Sequence, residues 1–221
     1  MKETTKNIDI SISRIADRLR GRSPRPLGRH SFFSVMIPLC RGAGGEPSLL
    51  FEVRSSKLRH QPGDICFPGG KIEEGETPLE CALREFAEET GIAASSLDVL
   101  GQFDTLYGFA DYTLYTFVAE LPAAALSQAR PDESEVAELF TVPLDFFVQN
   151  PPRVYEADIV TDVSSFPFEE AGVSRGYRWR KSKNIIPVYR WQDRVIWGMT
   201  ARIVRWLVQE LCAEADESCS N

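Results

Sequence analysis

GKIEEGETPLECALREFAEETGI, spanning Gly70–Ile92, decides how this chain is read. Thr77, Pro78 and Glu80 make a capping box with proline at the first helical position, and Gly91 stands where a C-terminal cap belongs. The spacing predicts one well-bounded helix, with Leu79, Leu83 and Phe86 as its core-facing stripe. Glu85, Glu88 and Glu89 fall at i, i+3 and i+4, on one face that the periodicity sets opposite that stripe. Like charges at this spacing repel by about 0.2–0.5 kcal/mol per pair. Such a face is either plain solvated surface or an oxygen-rich site for a hard dication such as Mg²⁺ or Mn²⁺. The preceding turn, Phe67-Pro-Gly-Gly70, favours the second reading, because its small residues let backbone approach a ligand.

Outward from this helix the pattern is mixed. Upstream, Phe32–Cys40 and Ser48–Val53 have strand character, and the glycine-rich Arg41–Pro47 between them reads as a hairpin loop. It leads into a strand, the reverse of the strand-to-helix order that a dinucleotide fingerprint requires. Ile8, Ile12, Ile15 and Leu19 recur at helical spacing, so a short amphipathic helix precedes a Pro- and Arg-rich linker, Arg20–Pro26. Downstream, strands are expected at 97–103, 111–121, 136–142, 154–160, 177–179 and 185–191. A closing helix carries Ile203, Leu207 and Leu211, followed by an acidic tail. Strands with helices interposed, but no regular βαβ alternation, give a mixed-sheet α+β sandwich. The expected division is an N-terminal helix and linker over 1–30, one main domain over 31–211 and a tail over 212–221.

Composition bounds the function. The chain has 221 residues, 43% hydrophobic and 26% charged, and a net charge of −7. That is an ordinary globular mix, and its acidity argues against a duplex-DNA binder. No apolar run approaches the roughly 20 residues that cross a bilayer. The five cysteines form no CxxC pair or Cys/His cluster, so reduced thiols in a cytoplasmic protein are expected. The segment Tyr177–Lys183 (YRWRKSK) is the nearest approach to a nucleic-acid patch, and a basic loop edge explains it equally well.

Gly70, Glu76, and Arg84-Glu85-Phe86-Ala87-Glu88-Glu89-Thr90-Gly91-Ile92 together resemble the complete signature of the Nudix hydrolases. The resemblance implies the Nudix fold, an α/β/α sandwich with a mixed sheet, and hydrolysis of nucleoside diphosphate derivatives with bound divalent metal. It implies that Glu85, Glu88 and Glu89 hold the metal, with the carbonyl of Gly70 as a further ligand. Arg84 would be the structural and electrostatic partner of these acids, and Glu76 a support for the loop–helix geometry. Glu135, in the polar run Pro131–Glu135, is a further catalytic candidate, because such enzymes often recruit an acid from a later loop.

The preceding LFEVRSSKLRHQPGDICFPGG, Leu50–Gly70, resembles the extra motif of the coenzyme A diphosphatases within that superfamily. Arg54, Ser55, Arg59, Gly63 and Phe67 stand at matching positions, and Ile196–Ala201 also resembles that subfamily. Phe51 and Glu52 depart from it, replacing the usual Leu-Thr. The implied substrate is coenzyme A or an acyl-CoA, with Arg54, Arg59, Gly63 and Phe67 at the binding site. Arginine forks suit its 3′-phosphate and diphosphate; Lys57 and His60 are weaker candidates. Another nucleoside diphosphate derivative, such as ADP-ribose, is the alternative substrate, and a non-catalytic nucleotide-sensing module is the alternative class. Neither a nucleic-acid nor a membrane partner is expected; oligomeric state, a homodimer included, stays open.

Overall fold

The computed structural model describes residues 11–42 and 44–217. Its elements in chain order are α1 (Ile12–Leu19), β1 (Ser31–Arg41), β2 (Pro47–Arg54), β3 (Ile65–Cys66), β4 (Gly69–Lys71) and α2 (Pro78–Thr90). Next come β5 (Asp98–Gln102), β6 (Leu106–Gly108), β7 (Tyr112–Glu120), α3 (Ala123–Leu126), β8 (Val136–Pro143) and α4 (Leu144–Gln149). The chain then runs through β9 (Arg153–Ile159), β10 (Ser182–Trp191), β11 (Arg194–Trp197) and α5 (Gly198–Glu217).

The main sheet has the order β3-β2-β1-β7-β5, with β4 also on β1, β6 on β7 and β8 on β2. β1 and β7 pair in parallel from Ser31↔Tyr112 to Leu39↔Glu120, and the other pairings are antiparallel, so the sheet is mixed as expected. A second sheet, β11-β10-β9, packs with α5 on one side of it.

The apolar run in β1 has a direct explanation, because this strand is buried on both faces. Met36 and Cys40 point towards α2 and join Leu50, Ala82, Phe86 and Phe117 in one core layer. Ile37 points the other way, joining Leu49, Phe51, Phe147, Tyr189, Ile196 and Val204 in the second. α2 and α5 therefore cover opposite faces of the main sheet, which completes the sandwich.

Several details differ from the sequence expectation. Tyr177–Trp179 forms no strand; Trp179 instead packs edge-on against Phe166 and Tyr177, at 5.0 and 5.2 Å between ring centres. The helix α5 continues to Glu217, past the expected end at 211, and Leu211 is half exposed while Ile203 and Leu207 are buried. α1 forms, capped by Ser11, but Ile12, Ile15 and Leu19 lie exposed and cover no core; Ile8 falls outside the described residues. The short elements β3, β4, β6, β11, α3 and α4 have too few residues to show a period.

Gly91 ties the helix to the rest. It adopts φ +67°, and a Cβ there would lie 2.1 Å from the carbonyl oxygen of Arg130. Arg130 N–H in turn donates to Thr90 O at 2.9 Å, so the chain approaching β8 is pressed against the end of α2. Gly91→Ala combines a left-handed backbone penalty with a backbone clash. It should cost about 2 kcal/mol or more, read as a lowered urea midpoint at unchanged slope.

Candidate active site

The turn at Phe67–Gly70 lies between β1 and the C-terminal half of α2, where a Cβ on either glycine would clash as the side chains stand. A Cβ on Gly69 would sit 2.4 Å from Ser34 O, and one on Gly70 would sit 2.1 Å from Glu85 Oε1. The Gly69 N–H donates to Glu89 Oε2 at 2.8 Å, and the Cys81 thiol donates to Gly70 O at 3.7 Å. The i, i+4 line of Glu85 and Glu89 therefore faces this turn. That corrects the expectation of one acidic face turned away from the core: Glu88 is exposed, Glu85 is partly covered and Glu89 is only 4% exposed.

Arg84 organises the acids around it. Its Nε and Nη2 donate to the two oxygens of Glu76 at 2.8 and 3.0 Å, a bidentate fork. Its Nη1 donates to Glu85 at 2.9 Å and to Glu88 at 3.1 Å. Hydrogen bonds from Arg84 hold the Glu76 carboxyl at about 2, well below its ordinary value. Glu76 and Arg84 thus pin the loop over 71–77 to the helix.

Beneath the turn lies an acid that sequence reading passed over as a departure from a motif. Glu52, on β2, is wholly buried, and its Oε1 accepts from the Cys66 thiol at 3.1 Å. Glu52 and Glu89 are both raised above the carboxylate range, burial being the larger cause for each. The charge of Glu52 adds to the rise at Glu89, and that of Glu135 to the rise at Glu52. Glu85 is raised as well, by burial and then by Glu88 and Glu135, against the pull of Arg84. The detectable signal was an acid at the centre of an otherwise apolar strand.

Glu135 reaches this cluster because its loop is fastened to the upstream motif. Ser55 N–H donates to Glu135 O at 2.7 Å, and Ser55 Oγ to Glu133 O at 3.3 Å. Arg54 is half buried with its Nε unpartnered, and it exerts a lowering influence on both Glu52 and Glu89. It opens onto a cleft of about 270 Å³ lined also by Phe109, Tyr112, Ile185, Trp197, Met199 and Arg202. The strand β10, the end of β11 and the start of α5, distant in sequence, thereby line the cleft with Arg54.

The other motif residues play different parts. Arg59 is exposed on the loop after β2. Gly63 makes the loop's return, at φ +77° with its N–H donating to Arg54 O at 3.0 Å. Phe67 is a correction: it is 2% exposed and stacks on Phe51 at 4.8 Å, so it supports the turn from the core and offers substrate no surface.

The donor set suits a hard dication in chemistry: carboxylates of Glu85, Glu88 and Glu89, the Gly70 carbonyl, and a buried, partnerless oxygen on Glu52. Among the described residues no three acids already converge on one point, since Glu85 and Glu88 turn to Arg84 and Glu89 to Gly69.

Stability should carry the mark of this arrangement. An acid raised on folding binds more protons folded than unfolded, so stability falls as pH climbs from its ordinary value near 4.5. Glu76 has the opposite sign, its contribution being present above about 4.5 and lost as pH falls towards 2. Metal-free protein should therefore melt at lower temperature as pH rises from 5 to 8; a thermal-shift series at constant ionic strength checks this, and a flat or rising profile contradicts it.

Comparison with known proteins accords with the geometry. The NUDIX domain family model matches residues 31–162. The peroxisomal coenzyme A diphosphatase NUDT7 of Mus musculus is 40% identical over 130 residues, covering 58% of this chain and 53% of that protein. The chain thus spans about half the length of that relative. The mitochondrial coenzyme A diphosphatase NUDT8 of Homo sapiens is 31% identical over 196 residues, covering 87% and 75% respectively. A Nudix hydrolase of Yersinia enterocolitica, NudL, whose name calls it uncharacterized, is 32% identical over 207 residues, covering 91% and 93%. The acids on α2, the turn that meets them and the domain match over most of the sheet have one common reading: the chain belongs to the Nudix family.

Proposed function

We propose that this enzyme hydrolyses the diphosphate of coenzyme A or its thioesters, yielding 3′,5′-ADP and 4′-phosphopantetheine or its acyl form. The observation that carries the reading is Arg54: a half-buried arginine that acts on the acid Glu89 of α2 and lines a largely apolar cleft. Coenzyme A needs both features, a cation for phosphate and apolar walls for its pantetheine arm. Two relatives named as coenzyme A diphosphatases support it.

Mg²⁺ or Mn²⁺, held by Glu85, Glu88, Glu89 and the Gly70 carbonyl, would neutralise charge on the diphosphate and acidify a water molecule. Arg84 restrains the acids until they turn to that load. Arg54, with Arg59 on the exposed rim of its loop, orients the phosphates. Glu135 faces Glu85 from its own loop, where it can accept the proton of the attacking water. Water oxygen bonds to one phosphorus as the bridging P–O bond breaks, and the leaving phosphate keeps the bridging oxygen. The cysteines among the described residues are free thiols, which suits a reducing compartment such as the cytoplasm.

Purified protein incubated with coenzyme A and Mg²⁺ should release 3′,5′-ADP on ion-exchange chromatography. Turnover of ADP-ribose with no 3′,5′-ADP would replace this reading with the ADP-ribose one. Glu89→Gln preserves an acceptor for Gly69 N–H, and should lower kcat at least 100-fold with an unchanged circular dichroism spectrum. Arg54→Ala should raise KM for coenzyme A about 10- to 100-fold, the worth of a charge-assisted hydrogen bond. It should raise KM less for the 3′-dephosphorylated substrate; equal effects on both would remove Arg54 from the 3′-phosphate.

A further inference from the structure

We infer that Glu52 is an additional oxygen donor of the metal centre, one that the usual Thr at this motif position could not supply as a charge. The inference rests on the metal-site reading above and extends it.

Glu52 stands on the central region of the sheet, opposite Cys66 in the β2–β3 ladder and Leu139 in the β2–β8 ladder. It is 0% exposed. Its Oε1 has only a thiol for company, and its Oε2 has no N–H or hydroxyl donor, only what a proton shared with the Glu89 carboxyl supplies. A thiol is a weak donor. Arg54 is the cation that acts on it, yet no ion pair joins them among the described residues, and the Arg54 Nε is itself unpartnered. Its acidic neighbours are Glu89, fixed in place by Gly69, and Glu135 from the opposite loop. Buried carboxylates survive in proteins when paired with a cation or when they coordinate a metal. Glu52 on β2 and Glu89 on α2 are thus neighbouring buried acids, with no cation paired to either among the described residues. A dication held by the acids of α2 would supply the positive partner that the Glu52 carboxylate lacks.

A purely structural acid makes a different forecast. If Glu52 served only as a neutral hydrogen-bonding group, Gln would match its shape and hydrogen-bonding capacity, and metal binding would be indifferent to the change. If it donates to the cation, loss of the charge weakens binding whatever the shape.

The test is Mn²⁺ binding to the full chain without substrate, read from the electron paramagnetic resonance signal of free Mn²⁺ during titration. Glu52→Gln should weaken Mn²⁺ binding at least tenfold, and Glu52→Thr, a smaller replacement that guards against a packing failure in the first, should do the same. Melting of the metal-free variants at or above the wild-type temperature would accompany this, since a buried repulsive charge is gone. Unchanged Mn²⁺ affinity in both variants overturns the inference. Glu85→Gln separates the two levels: if it weakens Mn²⁺ while the Glu52 variants do not, only the role of Glu52 falls. If Glu85→Gln also leaves the affinity unchanged, the metal-site reading falls with it.

Discussion

The contact between the Gly69–Gly70 turn and α2 is the constraint on which the rest of the site depends. It brings a backbone N–H within 2.8 Å of Glu89 and leaves no space for a Cβ beside Glu85. A helix held this close to a turn must present its acids into the protein, and those acids must then be managed without bulk water. The molecule does so with one fully engaged arginine, Arg84, and one partly engaged arginine, Arg54. The first neutralises the outer acids, Glu76, Glu85 and Glu88. Glu52 and Glu89 lie deeper and are left without a paired cation among the described residues, which is where burial raises them most.

The same constraint explains what could be read from sequence. The ends of α2 were legible because the capping box and the left-handed glycine are local chemistry, and both form as written. The longer strands of the main sheet, β1, β2, β5, β7 and β8, were legible because an apolar run or a period of two shows within five residues or more. What could not be read was direction. Periodicity puts Glu85, Glu88 and Glu89 together but says nothing about the turn that packs over them, so a face expected to be away from the core is partly inside it. Phe67 shows the converse: its motif position suggests a role at the binding site, and the stack on Phe51 shows a role in the core. Glu52 was visible as a letter, yet its burial depends on β3 and β8 closing on either side of β2, pairings that no local pattern encodes.

Segments distant in sequence reach the site by similarly non-local means. Ser55, a motif residue, contributes through its backbone and hydroxyl, which fasten the loop carrying Glu135. Gly91 and Arg130 press the start of that loop against the C-terminal end of the helix. Two clamps thus fix the approach of Glu135, and neither involves a group with acid–base chemistry. The strand β10, in a stretch that resembles nothing recognisable as sequence, acquires meaning as one wall of the cleft next to Arg54.

Net charge gives the final step. The value of −7 hides two opposed regions: residues 1–60 carry 12 basic and five acidic side chains, and residues 61–221 carry 13 and 27. The fold sets the boundary of the basic part against the acidic part, because Arg54 at the end of β2 and the acids of α2 meet across one turn. A phosphate-bearing ligand approaching the acids alone would be repelled, and one approaching Arg54 alone would be held with no means of cleavage. Only a cation on the acids reverses the local sign and lets both halves act on the same molecule. The acidic balance of the whole chain is therefore compatible with an anionic substrate, because the excess negative charge near the turn is the part that a metal is built to use.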